Sequence, residues 1–280
     1  MNEKSFCLAL NETGVIGYRR YRKILAAGSI NDLTAFPDRV FNADLPPTIQ
    51  EKVFRTLINI NEVQSIERNI SRLGCHFYSW RDIRPYLAAD YNSLPLVLSG
   101  NFDLPLLKTY ERRIAVVGTS YPSERAKQIA GEIVTYLARS HVLIISGLAR
   151  GIDRAAHKAS LISGQNTLAF LPYGIQQLNY SLTDVPGMYY LSETPVNQEW
   201  GSKWAVLRNR LIALFSDAVI VIQSMPEGGS FYTASYGLQY GKKVYAVDFQ
   251  DDRKEGNRIL LTKEGVQRIG KLSDLAPLMS

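Results

Sequence analysis

The sequence predicts an α/β protein: a doubly wound, mostly parallel sheet preceded by a small all-helical domain. Three observations carry this. Short apolar runs recur at 114–117, 142–145, 167–171, 218–222 and 243–247, and such runs, bounded by turn residues, mark strands buried on both faces. Most are followed by a small-residue turn and then a helical pattern, the order that builds parallel βαβ units. Residues 4–75 instead show apolar residues at helical spacing, cut by glycine and proline.

In the N-terminal segment the expected core positions are Leu8, Leu10, Tyr18, Tyr21, Leu25, Leu33, Phe36, Val53, Leu57 and Ile66. Gly14, Gly28 and Pro46-Pro47 break it into short helices. Residues 13–24 join a glycine-containing turn to a basic helix. The glycines admit close backbone approach, and Arg19, Arg20, Arg22 and Lys23 could meet phosphates as a secondary nucleic-acid contact. The same charges would also suit a plain solvated face. From Gly74 to Leu107 the chain changes character, with Trp80, Tyr86 and Tyr91 ahead of a strand-like run at 94–100. That run reads as an extended connector adding an edge strand, where Pro95 is tolerated. The boundary is placed between residues 75 and 76, giving a helical domain over 1–75 and an α/β domain over 76–280.

The α/β domain opens with the strand at 114–118 and the turn Gly118-Thr119-Ser120. A helix over 123–139 follows, with Ala126, Ile129, Ala130, Ile133, Val134 and Leu137 on one face. The second strand, 142–145, runs into Ser146-Gly-Leu-Ala-Arg150-Gly-Ile-Asp153 and a second helix. A third strand at 167–171 leaves through Pro172-Tyr-Gly174, and 189–193 is a further candidate strand ending in Thr194-Pro195. A helix over 204–215 bears Arg208-Asn209-Arg210. The strand at 218–222 exits through Pro226-Glu-Gly228-Gly229-Ser230 into a helix reaching about Tyr240, and 243–247 supplies another strand.

A chain of 280 residues holds one large and one small domain. Cys7 and Cys75 fit neither a metal-ligand spacing nor a disulfide framework, which points to a reducing cytoplasm. No signal peptide and no membrane-spanning stretch are evident, so a soluble protein with no membrane partner is expected. The net charge is +6 with no block of like charges. An anionic partner would be met by a folded pocket carrying a few arginines, not by a polycationic arm.

Three strand-exit turns combine glycine, a hydroxyl and helix-start N–H groups, the ingredients of an anion pocket. They supply Gly118, Thr119 and Ser120, then Ser146 and Gly147, then Gly228, Gly229 and Ser230, with Arg150, Arg208 and Arg210 nearby in sequence. Tight βα turns would also want glycine. Arg208 and Arg210 point about 200° apart on a helix, so one is expected to face the pocket while the other braces the fold. Arg150 could bind phosphate or pin a carboxylate such as Asp153 or Glu193. His157 stands four residues after Asp153, and the two read as a satisfied structural pair sharing a hydrogen bond rather than an acid/base couple. Strict dinucleotide and P-loop fingerprints, a serine nucleophile elbow and paired metal ligands are all missing. No catalytic residue, metal or cofactor is therefore expected.

Taken together, these motifs resemble the DNA-processing protein A (DprA/Smf) family. The resemblance rests on Ala115-Val-Val-Gly-Thr119, Ser146-Gly-Leu-Ala-Arg-Gly-Ile-Asp153 with Ala155-Ala-His157, and Ser192-Glu193-x-Pro195. It continues through Arg208-Asn-Arg210-x-Ile212-Ala213, Ser216-Asp-Ala218, Gly229-Ser230 with Thr233-Ala234, Gly241-x-x-Val244-x-Ala-Val247, and Gly256-Asn257-Arg258 with Gly265. It implies an extended Rossmann-like domain that binds single-stranded DNA, with residues 14–23 in a sterile-alpha-motif-like (SAM-like) helical module. By matching position, Ser146, Gly147, Arg150, Arg208, Gly229 and Ser230 would line the DNA pocket. It further implies a homodimer that protects single strands in natural transformation and recombination and loads RecA recombinase, a mediator and not an enzyme.

The chain departs from the family pattern in three places. Ser120 stands where an arginine is common, the stretch between Pro172 and Ser192 is shortened, and the C-terminal winged-helix-like domain is expected to be lacking. These departures motivate a second reading, an antitoxin or sensor of a phage-defence or toxin–antitoxin module with a toxin or defence protein as partner. A third is a nucleoside-monophosphate phosphoribohydrolase-like enzyme. It is disfavoured because no carboxylate follows the glycines before Asp248.

Overall fold

The computed structural model describes residues 1–59, 61–87, 94–178, 185–249 and 255–279. Compactness divides the chain into two units. The first comprises Met1–Asn101, Tyr173–Leu178 and Leu191–Trp200; the second comprises Phe102–Pro172, Asn179–Tyr190 and Gly201–Ser280.

The first unit begins with five helices: α1 (Glu3–Glu12), α2 (Tyr18–Ala27), α3 (Ile30–Ala35), α4 (Pro47–Ile58) and α5 (Asn61–Arg72). Their ends follow local chemistry. The Asn2 side chain accepts the Ser5 N–H at 2.8 Å and caps α1. Gly14, at φ 68°, turns the chain after α1, Ser29 and Asp32 form a capping box on α3, and Pro47 occupies the first position of α4. Leu8, Leu10, Tyr21, Leu33, Val53 and Leu57 are buried as expected. Tyr18, Leu25 and Ile66 are only partly buried. Phe36 is 54% exposed, and Phe6, Ile24, Val63 and Ile70 fill the core that it does not. Cys7 and Cys75 are buried, and burial pushes the Cys7 thiol up to about 12.

The 75/76 boundary falls between α5 and a strand the sequence reading did not anticipate, β1 (His76–Ser79). A short helix, α6 (Trp80–Ile83), follows. β2 (Val97–Gly100) pairs antiparallel with β1 and with Leu191 and Ser192 of β6 (Met188–Ser192). The expected edge strand at 94–100 is therefore an inner one, with β1 as the edge, and Pro95 precedes the strand so that no ladder bond is lost. Tyr91 lies outside the described residues.

The second unit carries β3 (Arg112–Val117), β4 (Val142–Ser146), β5 (Thr167–Phe170), β7 (Ala218–Val221), β8 (Lys243–Val247) and β9 (Val266–Ile269). The sheet runs β1-β2-β6-β5-β4-β3-β7-β8-β9, and β5-β4-β3-β7-β8-β9 is parallel throughout. Its helices are α7 (Glu124–Leu137), α8 (Ile152–Ile162), α9 (Ser202–Leu214), α10 (Gly229–Gln239) and α11 (Gly256–Leu261). On one face Ala130, Ile133, Val134 and Leu137 of α7 and Ile152 of α8 pack with Ile114, Val116, Ile144, Ile220 and Tyr245. Full burial of each large aliphatic stabilises by about 1.5–3 kcal/mol. Side chains alternate along a strand, so Val219 and Val244 face the other way. A Cβ on Gly237 of α10 would stand 3.0 Å from both. Helices thus cover both faces, as a doubly wound sheet requires. β9 and α11 were not foreseen, because their residues alternate or mix polarity.

Among the described residues no helix is long and apolar enough to cross a membrane, and no group of three His, Cys, Asp or Glu side chains could hold a metal ion.

Candidate functional site

β3 lies between β4 and β7 in parallel register, with Ala115 opposite Ile145 and Val117 opposite Val221. Parallel register brings the three expected turns to one carboxyl edge, the place where open α/β sheets bind ligands. The first turn is bonded to the end of β7 and to the start of α8. Thr119 N–H donates to Gln223 O at 2.7 Å, Ile152 N–H to Thr119 O at 3.3 Å, and Ser123 N–H to the Gln223 side-chain oxygen at 3.0 Å. Two glycines are obligatory here. A Cβ on Gly118 would overlap Ile152, and Gly151 combines φ +86° with closest approach to Thr119 O and Pro122. From α9, Asn209 Nδ2 donates to Gly229 O at 3.2 Å, tying α9 to the start of α10.

A buried polar cluster lies beneath this edge. Asp153, in the first turn of α8, is 5% exposed, and its Oδ2 accepts the Gly147 N–H at 3.2 Å. The N–H groups of Ala149 and Gly118 also stabilise the carboxylate. Arg208 Nη1 stands 4.0 Å from Oδ2 and donates to Phe170 O at 3.3 Å. Burial raises the Asp153 carboxyl, and the Arg208 charge opposes that rise. A Cβ on Gly147 would overlap the Arg208 guanidinium, so the arginine fits only beneath a glycine.

This arrangement revises several expectations. Ser146 is fully buried and donates to Val116 O at 2.6 Å. The Gly147 N–H is used by Asp153, Arg208 is buried as the brace of the turn, and Ser230 is buried with its hydroxyl 2.9 Å from Ser224 Oγ. These groups are turned inward: Gly147 and Arg208 serve the chain's own Asp153 carboxylate, Ser146 bonds to Val116, and Ser230 bonds to Ser224. The expected Asp153–His157 hydrogen bond is replaced. His157 Nδ1 lies 2.7 Å from Thr167 Oγ1, and that hydroxyl donates to Ile144 O at 2.8 Å. Thr167 must then accept, which puts the proton on Nδ1. Burial, followed by the Arg208 charge, pushes His157 down to about 3. It is a neutral structural residue.

Other residues remain at the surface of the edge. Ser120, Arg150 and Gly229 are exposed, while Gly118, Thr119 and Gly228 are partly so; Arg210, on α9, is partly buried, its Nη1 shielded from solvent. Arg150, expected to meet phosphate or a carboxylate, has its guanidinium 5.9 Å from the Tyr121 ring centroid. Gly228 is the N-cap of α10 and, as a glycine, brings no side chain to that helix start. Sequence reasoning missed three residues here. Leu148 (φ 58°) and Glu227 (φ 56°) hold left-handed backbone in two of the turns, strain that no residue type announced. Tyr121 is 72% exposed, and its only sequence signal was its place directly after the Gly-Thr-Ser turn.

On the first unit, Arg19, Arg20, Arg22 and Lys23 are all exposed on α2. Arg19, Arg22 and Lys23 line a shallow cavity of about 490 Å³ with Tyr18 and Ala26. Lys23 pairs with Asp44 at 2.6 Å, and Arg20 donates to Val15 O.

Residues 78–279 match the family model described as DNA recombination-mediator protein A. The chain belongs to that family. It is 33% identical over 189 residues to DNA processing protein DprA of Bacillus subtilis (strain 168), covering 65% of this chain and 63% of that protein. Identity to DNA processing protein DprA of Streptococcus pneumoniae is 31% over 176 residues, 59% of this chain and 60% of that one. The chain thus covers a little over three-fifths of one DprA relative and three-fifths of the other. The X-ray structure of DprA from Streptococcus pneumoniae superposes with a TM-score of 0.79 at 24% identity, over 97% of this chain and 96% of that one. A DprA structure from Helicobacter pylori, described as revealing a single-stranded DNA binding mode, gives a TM-score of 0.61 at 24% identity over 67% and 88%. These two likenesses establish a common DprA fold.

Proposed function

We propose that the protein is a DNA-processing mediator of the DprA type that binds single-stranded DNA at the carboxyl edge of its parallel sheet. The observation that carries this reading is the hydrogen-bonding of the first strand-exit turn to the end of β7 and the start of α8, which makes one edge that presents exposed Arg150 beside the glycine-led start of α10. A strand backbone needs such positive groups and close backbone approach more than base-edge readout. Family membership and the subject of the Helicobacter pylori structure support it. In this reading Thr119, Ser120, Arg150, Arg210, Gly228 and Gly229 meet the strand. Gly118, Ser146, Gly147, Arg208 and Ser230 shape the edge from within. Arg19, Arg20, Arg22 and Lys23 form a secondary contact, residues 1–75 act as the SAM-like domain and 76–280 as the Rossmann-like one. The protein works without catalysis, as a homodimer in the cytoplasm, and passes the strand to RecA.

Fluorescence anisotropy of a labelled single strand across a salt series tests the central claim, with duplex DNA as competitor. Arg150→Ala is expected to weaken single-strand binding about ten-fold and to reduce the salt slope by about 0.7, one phosphate's worth. Absence of salt-sensitive binding, or binding that duplex competes for equally, would sink the reading. RecA-dependent ATP hydrolysis on the bound strand tests loading, and light scattering tests for twice the 31.4 kDa chain mass.

A further inference from the structure

We propose that Tyr121, flanked by Arg150, is a stacking step for one nucleobase, so that this edge grips a strand by a base face as well as by its phosphates. The inference rests on the single-strand reading above and specifies what part of the strand is held.

Three observations converge on it. The N–H groups of Gly118, Gly147 and Ala149, which a phosphate would otherwise use, already face the Asp153 carboxylate. These N–H groups are satisfied within the chain, with Arg208 as the counter-charge of the carboxylate. Affinity at the β3 and β4 exits must then come from something other than a backbone phosphate cradle.

Tyr121 supplies the alternative. Its ring is 72% exposed and so contributes little to the core. Its backbone is nonetheless held: the Tyr121 N–H donates to Thr119 Oγ1 at 3.3 Å, and the next residue, Pro122, has fixed φ and packs against Gly151. A ring on a fixed backbone offers a large flat surface with little conformational entropy left to lose.

Arg150 stands at one face of that ring, 5.9 Å from its centroid. Its planar guanidinium can lie along a base stacked on the tyrosine while its outer N–H groups reach the phosphate of the same nucleotide. Aromatic stacking of this kind tolerates any base.

The test uses the full chain and two labelled probes of equal length, oligodeoxythymidine and an abasic deoxyribose-phosphate strand. The wild type should bind the base-bearing strand about ten-fold more tightly, within the range of one stacked base. Tyr121→Ala should remove that preference and leave abasic binding unchanged, whereas Tyr121→Phe should keep it. Because the ring is exposed, thermal melting of the variants should match the wild type. Equal wild-type affinity for the two strands, or a Tyr121→Ala variant that keeps the preference, would overturn the stacking role while leaving single-strand binding intact. Failure of the wild type to bind either probe would instead overturn the function itself.

Discussion

Asp153 stands in the first turn of α8 with its carboxylate turned from solvent, and N–H groups from two different turns converge on it. Arg208 closes the cluster from α9, lying where any side chain on residue 147 would have to go. Asp153→Ala should therefore destabilise the fold by about 3–5 kcal/mol in urea unfolding, the cost of leaving a buried arginine uncompensated. Gly147→Ala should cost about 1–3 kcal/mol through overpacking. His157 belongs to the same cluster and stays neutral at pH values where an exposed histidine charges. Its folded value, about 3, lies below the ordinary 6.5, so its contribution is complete above pH 6.5 and is lost as pH falls toward 3. Denaturation midpoints over that window should fall more steeply for the wild type than for His157→Gln.

At the scale of elements, the decisive units are strand exits and helix ends. The last residue of α1, Glu12, accepts the Val196 N–H with both carboxylate oxygens at 3.1 Å, and the neighbouring Asn11 amide donates to Glu193 O at 3.1 Å. Burial pushes the Glu12 carboxyl up to about 7, and a helix C-terminus is an unfavourable place for a negative charge. The folded value exceeds the unfolded one, so the associated stability is fully present below about pH 4.5 and is lost as pH rises through about 7. Thermal melts at pH 5 and pH 8 should differ more for the wild type than for Glu12→Gln. The strand and helix cores were readable because a parallel sheet buries both faces and leaves unbroken apolar runs, as at Ile114–Val117 and Val142–Ile145. β1 and β9 were not readable, since His76 or Gln267 and Arg268 interrupt the pattern on short outer strands.

At the scale of the whole molecule, a fragment beginning at residue 76 would lose the Glu12 and Asn11 contacts to residues 193–196. It should unfold at lower denaturant than the full chain, and a coincident midpoint would show that the helical segment lends those residues nothing. The sequence by itself determined the fold class, the order of the main strands and helices, and the three glycine-bearing turns, because these depend on local periodicity and turn chemistry. It also carried the family resemblance that the match over residues 78–279 established. Only the tertiary structure decided which polar residues face outward. Arg150 and Arg208 look alike in a sequence, yet one lies open beside Tyr121 while the other is buried against Asp153. That difference depends on which helix packs behind which turn, and it involves residues as far apart as Gly147 and Arg208, whose proximity no local pattern records.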